Sequence, residues 1–87
     1  VARNIIAEGG YGEKFAHSLG HGVGIKIHEK PNLSPKSVQI LEKNNVVTVE
    51  PGIYIDGKFG VRIENTVIVG ENSSESLQNA AKELIIL

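Results

Sequence analysis

The spacing of apolar positions changes about halfway along the chain and divides it into two kinds of structure. From Val46 onward apolar and polar residues alternate: Val46-Val47-Thr48-Val49-Glu50, then Ile53-Tyr54-Ile55, Phe59 to Glu64 and Thr66 to Val69. A period of two with many β-branched residues predicts strands. Asp56-Gly57 between two of them is a hairpin signal, because both residues tolerate the backbone such turns demand. Before Val46 the spacing is looser. Val1, Ile5 and Ile6 predict the last turns of a helix over Val1 to Ala7, with Gly9-Gly10 where a left-handed C-terminal cap belongs and no capping residue to open it. Glu29-Lys30-Pro31-Asn32 predicts a turn. Ser34 as N-cap and Pro35 at the first helical position predict a short helix to about Lys43, ended by Asn44-Asn45. The polar stretch Glu71 to Ala81 is expected to be a loop or short helix, and Leu84 to Leu87 a final strand or buried end.

Between these parts lies Phe15 to Pro31, which contains all 3 histidines, His17, His21 and His28, among Gly20, Gly22 and Gly24. Their spacing would align them on one helical face, but glycines inside a helix cost about 1 kcal/mol each relative to alanine. An irregular strand is the better expectation. In a strand His17 and His21 share a face, and His28 returns to that side only if the glycine segment bends or bulges. Backbone without side chains, interleaved with imidazoles, suits close approach to a metal and a substrate.

Two carboxylates extend this reading. A two-residue loop at Asp56-Gly57 would pair Ile55 with Lys58 and set Glu50 opposite Ile63, so that Glu50 and Glu64 point to opposite faces. One extra residue, from a bulge at Pro51-Gly52 or a three-residue loop ending past Gly57, sets Glu50 directly against Glu64. Facing carboxylates repel unless a cation lies between them, so that register implies a metal. Singly, each histidine, each glutamate and Arg62 is explained by ordinary core or surface roles. Together they describe a site.

Composition narrows the class. A net charge of −1 excludes the basic surface that nucleic acid or an anionic membrane would require. No apolar run approaches the roughly 18 residues of a membrane-spanning helix. The absence of cysteine removes a disulfide scaffold and favours an intracellular, cytoplasmic setting. At 87 residues the chain holds one domain at most, and with no methionine and a start at Val1 it is expected to be a processed form or part of a longer protein.

The segments H-S-L-G-H-G-V-G-I-K-I-H-E-K-P, T-V-E-P-G-I-Y-I and G-V-R-I-E-N-T-V-I-V resemble, in order and spacing, the C-terminal half of the catalytic domain in the pita-bread metallopeptidases, which include aminopeptidase P, Xaa-Pro dipeptidase (prolidase) and methionine aminopeptidase. The resemblance implies an α+β fold, mainly antiparallel sheet with short helices, with residues 1–87 forming one partial catalytic domain. It implies His21, Glu50 and Glu64 as metal ligands, Glu64 bridging two divalent ions. His17 and His28 resemble the histidines that face the scissile bond, and Arg62 a supporting arginine; Glu50 would also take a proton in catalysis. The implied reaction is hydrolysis of the bond before proline by a metal-activated water, with manganese, cobalt or zinc as cofactor. A proline-containing peptide is the implied substrate, a homodimer the implied full-length assembly. His17 and the G-V-R-I-E form favour the Xaa-Pro branch over methionine aminopeptidase.

The family also uses two aspartates from upstream strands, and here the only aspartate is Asp56 in the predicted turn. Asn45-Val46 stands where Gly-Met is frequent, and Asn65 where Asp is frequent. Alone, the chain is therefore expected to bind metal weakly, to be inactive and to expose apolar strand surface to the missing half. A non-catalytic peptide- or protein-binding module of the same fold is the alternative from another class.

Overall fold

The computed structural model describes all 87 residues. Helix α1 spans Ala2–Glu8 and a single 3-10 turn Gly12–Lys14. Seven strands follow: β1 Gly20–Gly22, β2 Glu29–Leu33, β3 Val46–Val49, β4 Gly52–Ile55, β5 Phe59–Arg62, β6 Asn65–Val69 and β7 Ser74–Ser76. Five form one antiparallel sheet in the order β2-β1-β3-β6-β7, and β4 and β5 form a separate hairpin.

One register runs through both ladders. Val46 pairs with Ile68 and Val49 with Asn65 in the sheet, while Gly52 pairs with Arg62 and Ile55 with Phe59 in the hairpin. Where the strands lapse between them, the Ile63 N–H still donates to the Pro51 carbonyl at 3.3 Å, keeping the same pairing. The loop is therefore the three-residue one, Asp56 to Lys58, with the Lys58 N–H bonded to the Ile55 carbonyl at 3.1 Å and Gly57 at a φ of 72°. No bulge is needed at Pro51-Gly52. The long hairpin simply bends at Glu50-Pro51 and Ile63-Glu64.

The buried core is small. Phe15 and Val47, 2% and 1% exposed, are its buried apolar side chains. Val47 belongs to the central strand, where neighbours on both sides exclude water. Glycine is required where β1 lies between its two neighbours: a Cβ on Gly20 would overlap the Thr48 carbonyl beyond β3's Val47, and one on Gly22 the Lys30 carbonyl of β2.

Four expected elements differ. Residues Glu29 to Asn32 are strand rather than turn: β1 and β2 slip between His21 and Gly22, and Pro31 falls in that bulge on the edge strand, where its missing N–H breaks no ladder bond. The helix expected after Ser34-Pro35 does not form; only a turn closes, from the Ser37 N–H to the Ser34 carbonyl at 3.1 Å. Val38 and Ile40 stay exposed, so no buried face stabilises a short helix there. Within Glu71 to Ala81, Ser74–Ser76 is instead an edge strand on β6. Leu84 to Leu87 are exposed and belong to no element. At the N-terminus, α1 ends as expected: Gly10 takes a φ of 92°, with its N–H on the Ala7 carbonyl at 2.9 Å.

Candidate metal and substrate site

Parity along paired strands places the site. Gly22 pairs with Val47, which sets His21 beside Thr48, and Glu50 shares the face of Thr48 two residues on. The contacts follow that register. The Thr48 hydroxyl, 4% exposed, accepts the His21 N–H at 3.1 Å and donates to Glu50 Oε1 at 3.0 Å. The Glu50 N–H bonds the Leu19 carbonyl at 2.7 Å, tying the strand end to β1.

The tautomer of His21 follows from its partners. Its Nδ1 lies 2.8 Å from the Gly22 carbonyl, which can only accept, so Nδ1 carries the proton. Nε2 is left facing Glu50 Oε1 at 3.2 Å. There the Nε2 lone pair faces a carboxylate oxygen, an arrangement that a bound cation would favour. Two donors each about 2.0–2.2 Å from one divalent ion stand about 3 Å apart, which is the separation observed.

Glu64 reaches the same place through Arg62. The guanidinium Nε lies 3.9 Å from Glu50 Oε2 and 3.6 Å from Glu64 Oε2, so the two carboxylates converge on one positive charge. Both distances exceed hydrogen-bond length, and Arg62 is about half exposed. It is held by charge alone. His21, Glu50 and Glu64 thus gather on one face with the nitrogen and oxygen chemistry a divalent ion takes, but no three acidic or imidazole side chains are close enough to enclose one. They fit as part of a site.

The remaining histidines separate. His28 returns to His21, ring centroids 4.7 Å apart and nearly perpendicular, because the chain bends after the bulge at Gly22. The Glu29 carboxylate holds that bend by accepting the Lys26 N–H at 2.8 Å. His17 instead packs on the other side: Nδ1 donates to the Ser18 carbonyl at 2.8 Å, and Nε2 meets the Tyr54 hydroxyl at 2.8 Å. Its main chain is held by Arg3, whose guanidinium donates to the Phe15 and His17 carbonyls at 2.7 and 2.9 Å.

Thr48, Tyr54 and Arg3 contact the candidate residues and were not singled out from the sequence. Tyr54 could have been found, since it lies an even number of residues beyond Glu50 on the continued face. Thr48 carried the same parity signal. Nothing in the spacing of Arg3 points to His17.

Imidazole and carboxylate side chains on one face are of the kind that take part in holding divalent metals. The sequence profile of metallopeptidase family M24 matches residues 1–71. The chain belongs to that family, and its sheet is part of the pita-bread fold. It is 53% identical over 85 residues to a Xaa-Pro dipeptidase of Pyrococcus horikoshii, covering 98% of this chain and 24% of that protein. The Xaa-Pro dipeptidase structure from Bacillus anthracis superposes with a TM-score of 0.94 at 54% identity, over 98% of this chain and 24% of the other. An X-Pro aminopeptidase from Thermotoga maritima superposes at 0.91 with 47% identity, again over 98% and 24%. The chain spans about a quarter of the length of these relatives.

Proposed function

We propose that these 87 residues are the metal- and substrate-facing part of a catalytic domain that hydrolyses the peptide bond before proline in short peptides. The carrying observation is the convergence of His21 Nε2, Glu50 and Glu64 on one face, in a chain whose relatives include Xaa-Pro dipeptidases. The other donors, two aspartates, would come from elsewhere in the longer protein.

His21 through Nε2, Glu50 and Glu64 would hold divalent cations, manganese, cobalt or zinc; when bound, such ions activate water and polarise a carbonyl. The chain's own residues set up the rest. The Gly22 carbonyl fixes the His21 tautomer, so Nε2 presents a lone pair, as second-layer partners of ligating histidines do. Thr48 holds Glu50 Oε1 by donating its hydroxyl, leaving Oε2 toward Arg62 and free to accept a proton from the attacking water. His28, edge-on against His21, would stabilise negative charge on the substrate carbonyl, and His17, beside Tyr54, would belong to the substrate side.

Alanine at His21 or Glu64 in the full-length enzyme should abolish both turnover of an Xaa-Pro dipeptide and metal loading. Unchanged turnover in either variant refutes the assignment.

A further inference from the structure

His17 has no free ring nitrogen. Nδ1 is committed to the Ser18 carbonyl and Nε2 to the Tyr54 hydroxyl, 37 residues away. Its backbone is equally constrained, by a residue from another element. Arg3, on the second position of α1, sends one guanidinium nitrogen to the Phe15 carbonyl and another to the His17 carbonyl. The same guanidinium lies 4.2 Å over the Phe15 ring, and Phe15 is one of the two buried apolar side chains. The Phe15 ring in turn meets the His17 ring edge-on, centroids 5.1 Å apart.

From this we infer that Arg3 is a positioning residue for His17. A planar fork with fixed donor directions spans two carbonyls two residues apart and so sets the path of the loop that carries the imidazole. Stacking on Phe15 fixes the plane of the fork. The ring then falls where Ser18 holds one nitrogen and Tyr54 the other. Tyr54 is itself held over Gly52, where a Cβ would strike its ring and hydroxyl. Helix α1, which contributes no ligand, thereby acts on the substrate side of the site through a single side chain. Lysine cannot replace arginine here, because one ammonium cannot span both carbonyls in a fixed plane.

The proposal rests on His17 belonging to the substrate side, so its test has two readouts in the full-length enzyme. In R3A and R3K, kcat on an Xaa-Pro dipeptide should fall on the order of ten- to a hundredfold, as when side chains that shape a substrate site shift by a fraction of an ångström to an ångström. Bound metal should stay at the wild-type level. Independently, ¹⁵N signals of the His17 ring should change from a single Nδ1–H form to a mixture in both variants. If R3A does not fold, R3K decides alone. Retained kcat together with an unchanged His17 tautomer, even with a lower melting temperature, overturns the proposal and leaves Arg3 a purely structural residue. If the wild-type enzyme turns over no Xaa-Pro peptide, the functional reading fails, and the His17 nitrogen signals still decide the positioning role.

Discussion

Arg62 lies near both the Glu50 and the Glu64 carboxylate. With its Nε within 4.0 Å of both Glu50 and Glu64, it offsets a repulsion that the register forces on the pair. Because the contacts are long and half exposed, charge rather than geometry sustains them, and salt should screen them. R62M, which keeps most of the side-chain volume, should therefore lower the stability of the chain by about 1 kcal/mol at low ionic strength. The loss should shrink toward zero near about 1 M salt. Urea unfolding at the two ionic strengths measures this; an equal loss at both would mean that Arg62 acts through packing. Residue type and parity singled out His21, Glu50 and Glu64 as a group, and their reading as ligands came from the resemblance to the metallopeptidases. The convergence of Glu50 and Glu64 was one of two registers the sequence allowed, and the three-residue loop at Asp56 to Lys58 decides between them.

Strand crossings, more than side-chain packing, decide which elements form. Gly20 and Gly22 let β1 pass against the Thr48 and Lys30 carbonyls, and His21 stands between them with its imidazole directed to Glu50. Alanine at Gly20 should force β1 from β3 and destabilise the chain by about 1–3 kcal/mol, the usual range for overpacking. Since His21 moves with the strand, the same variant should weaken metal loading in the full-length enzyme. Denaturant unfolding and metal analysis check both; a neutral G20A would show that the crossing has slack. The central strands were readable because alternation and turn chemistry agree there. β2 and β7 were not, for opposite reasons. Lys30-Pro31 carries a turn signal that an edge bulge absorbs, and Ser74-Glu75-Ser76 has no apolar alternation at all. The expected helix after Ser34 had sound capping residues, but capping cannot hold a short segment whose Val38 and Ile40 find nothing to pack on.

Across the whole molecule, the apolar inventory and the core do not match. Only Phe15 and Val47 are buried apolar side chains, while Ile25, Ile27, Val38, Ile40 and Phe59 are largely exposed. That imbalance fits a chain spanning about a quarter of its relatives' length, whose exposed apolar side chains, most of them in loops, would pack on the rest of a larger domain. It also fits candidate donors that share a face without enclosing an ion. His21, Glu50 and Glu64 face one way, and the remaining coordination positions would be filled from outside the chain. The most direct test of that claim is anomalous diffraction from manganese-loaded crystals of the full-length enzyme. Peaks are expected within coordination distance of His21 Nε2 and of the Glu50 and Glu64 carboxylates, with two aspartates from outside the chain completing the set. Manganese bound elsewhere, with His21 and Glu64 unligated, would contradict it.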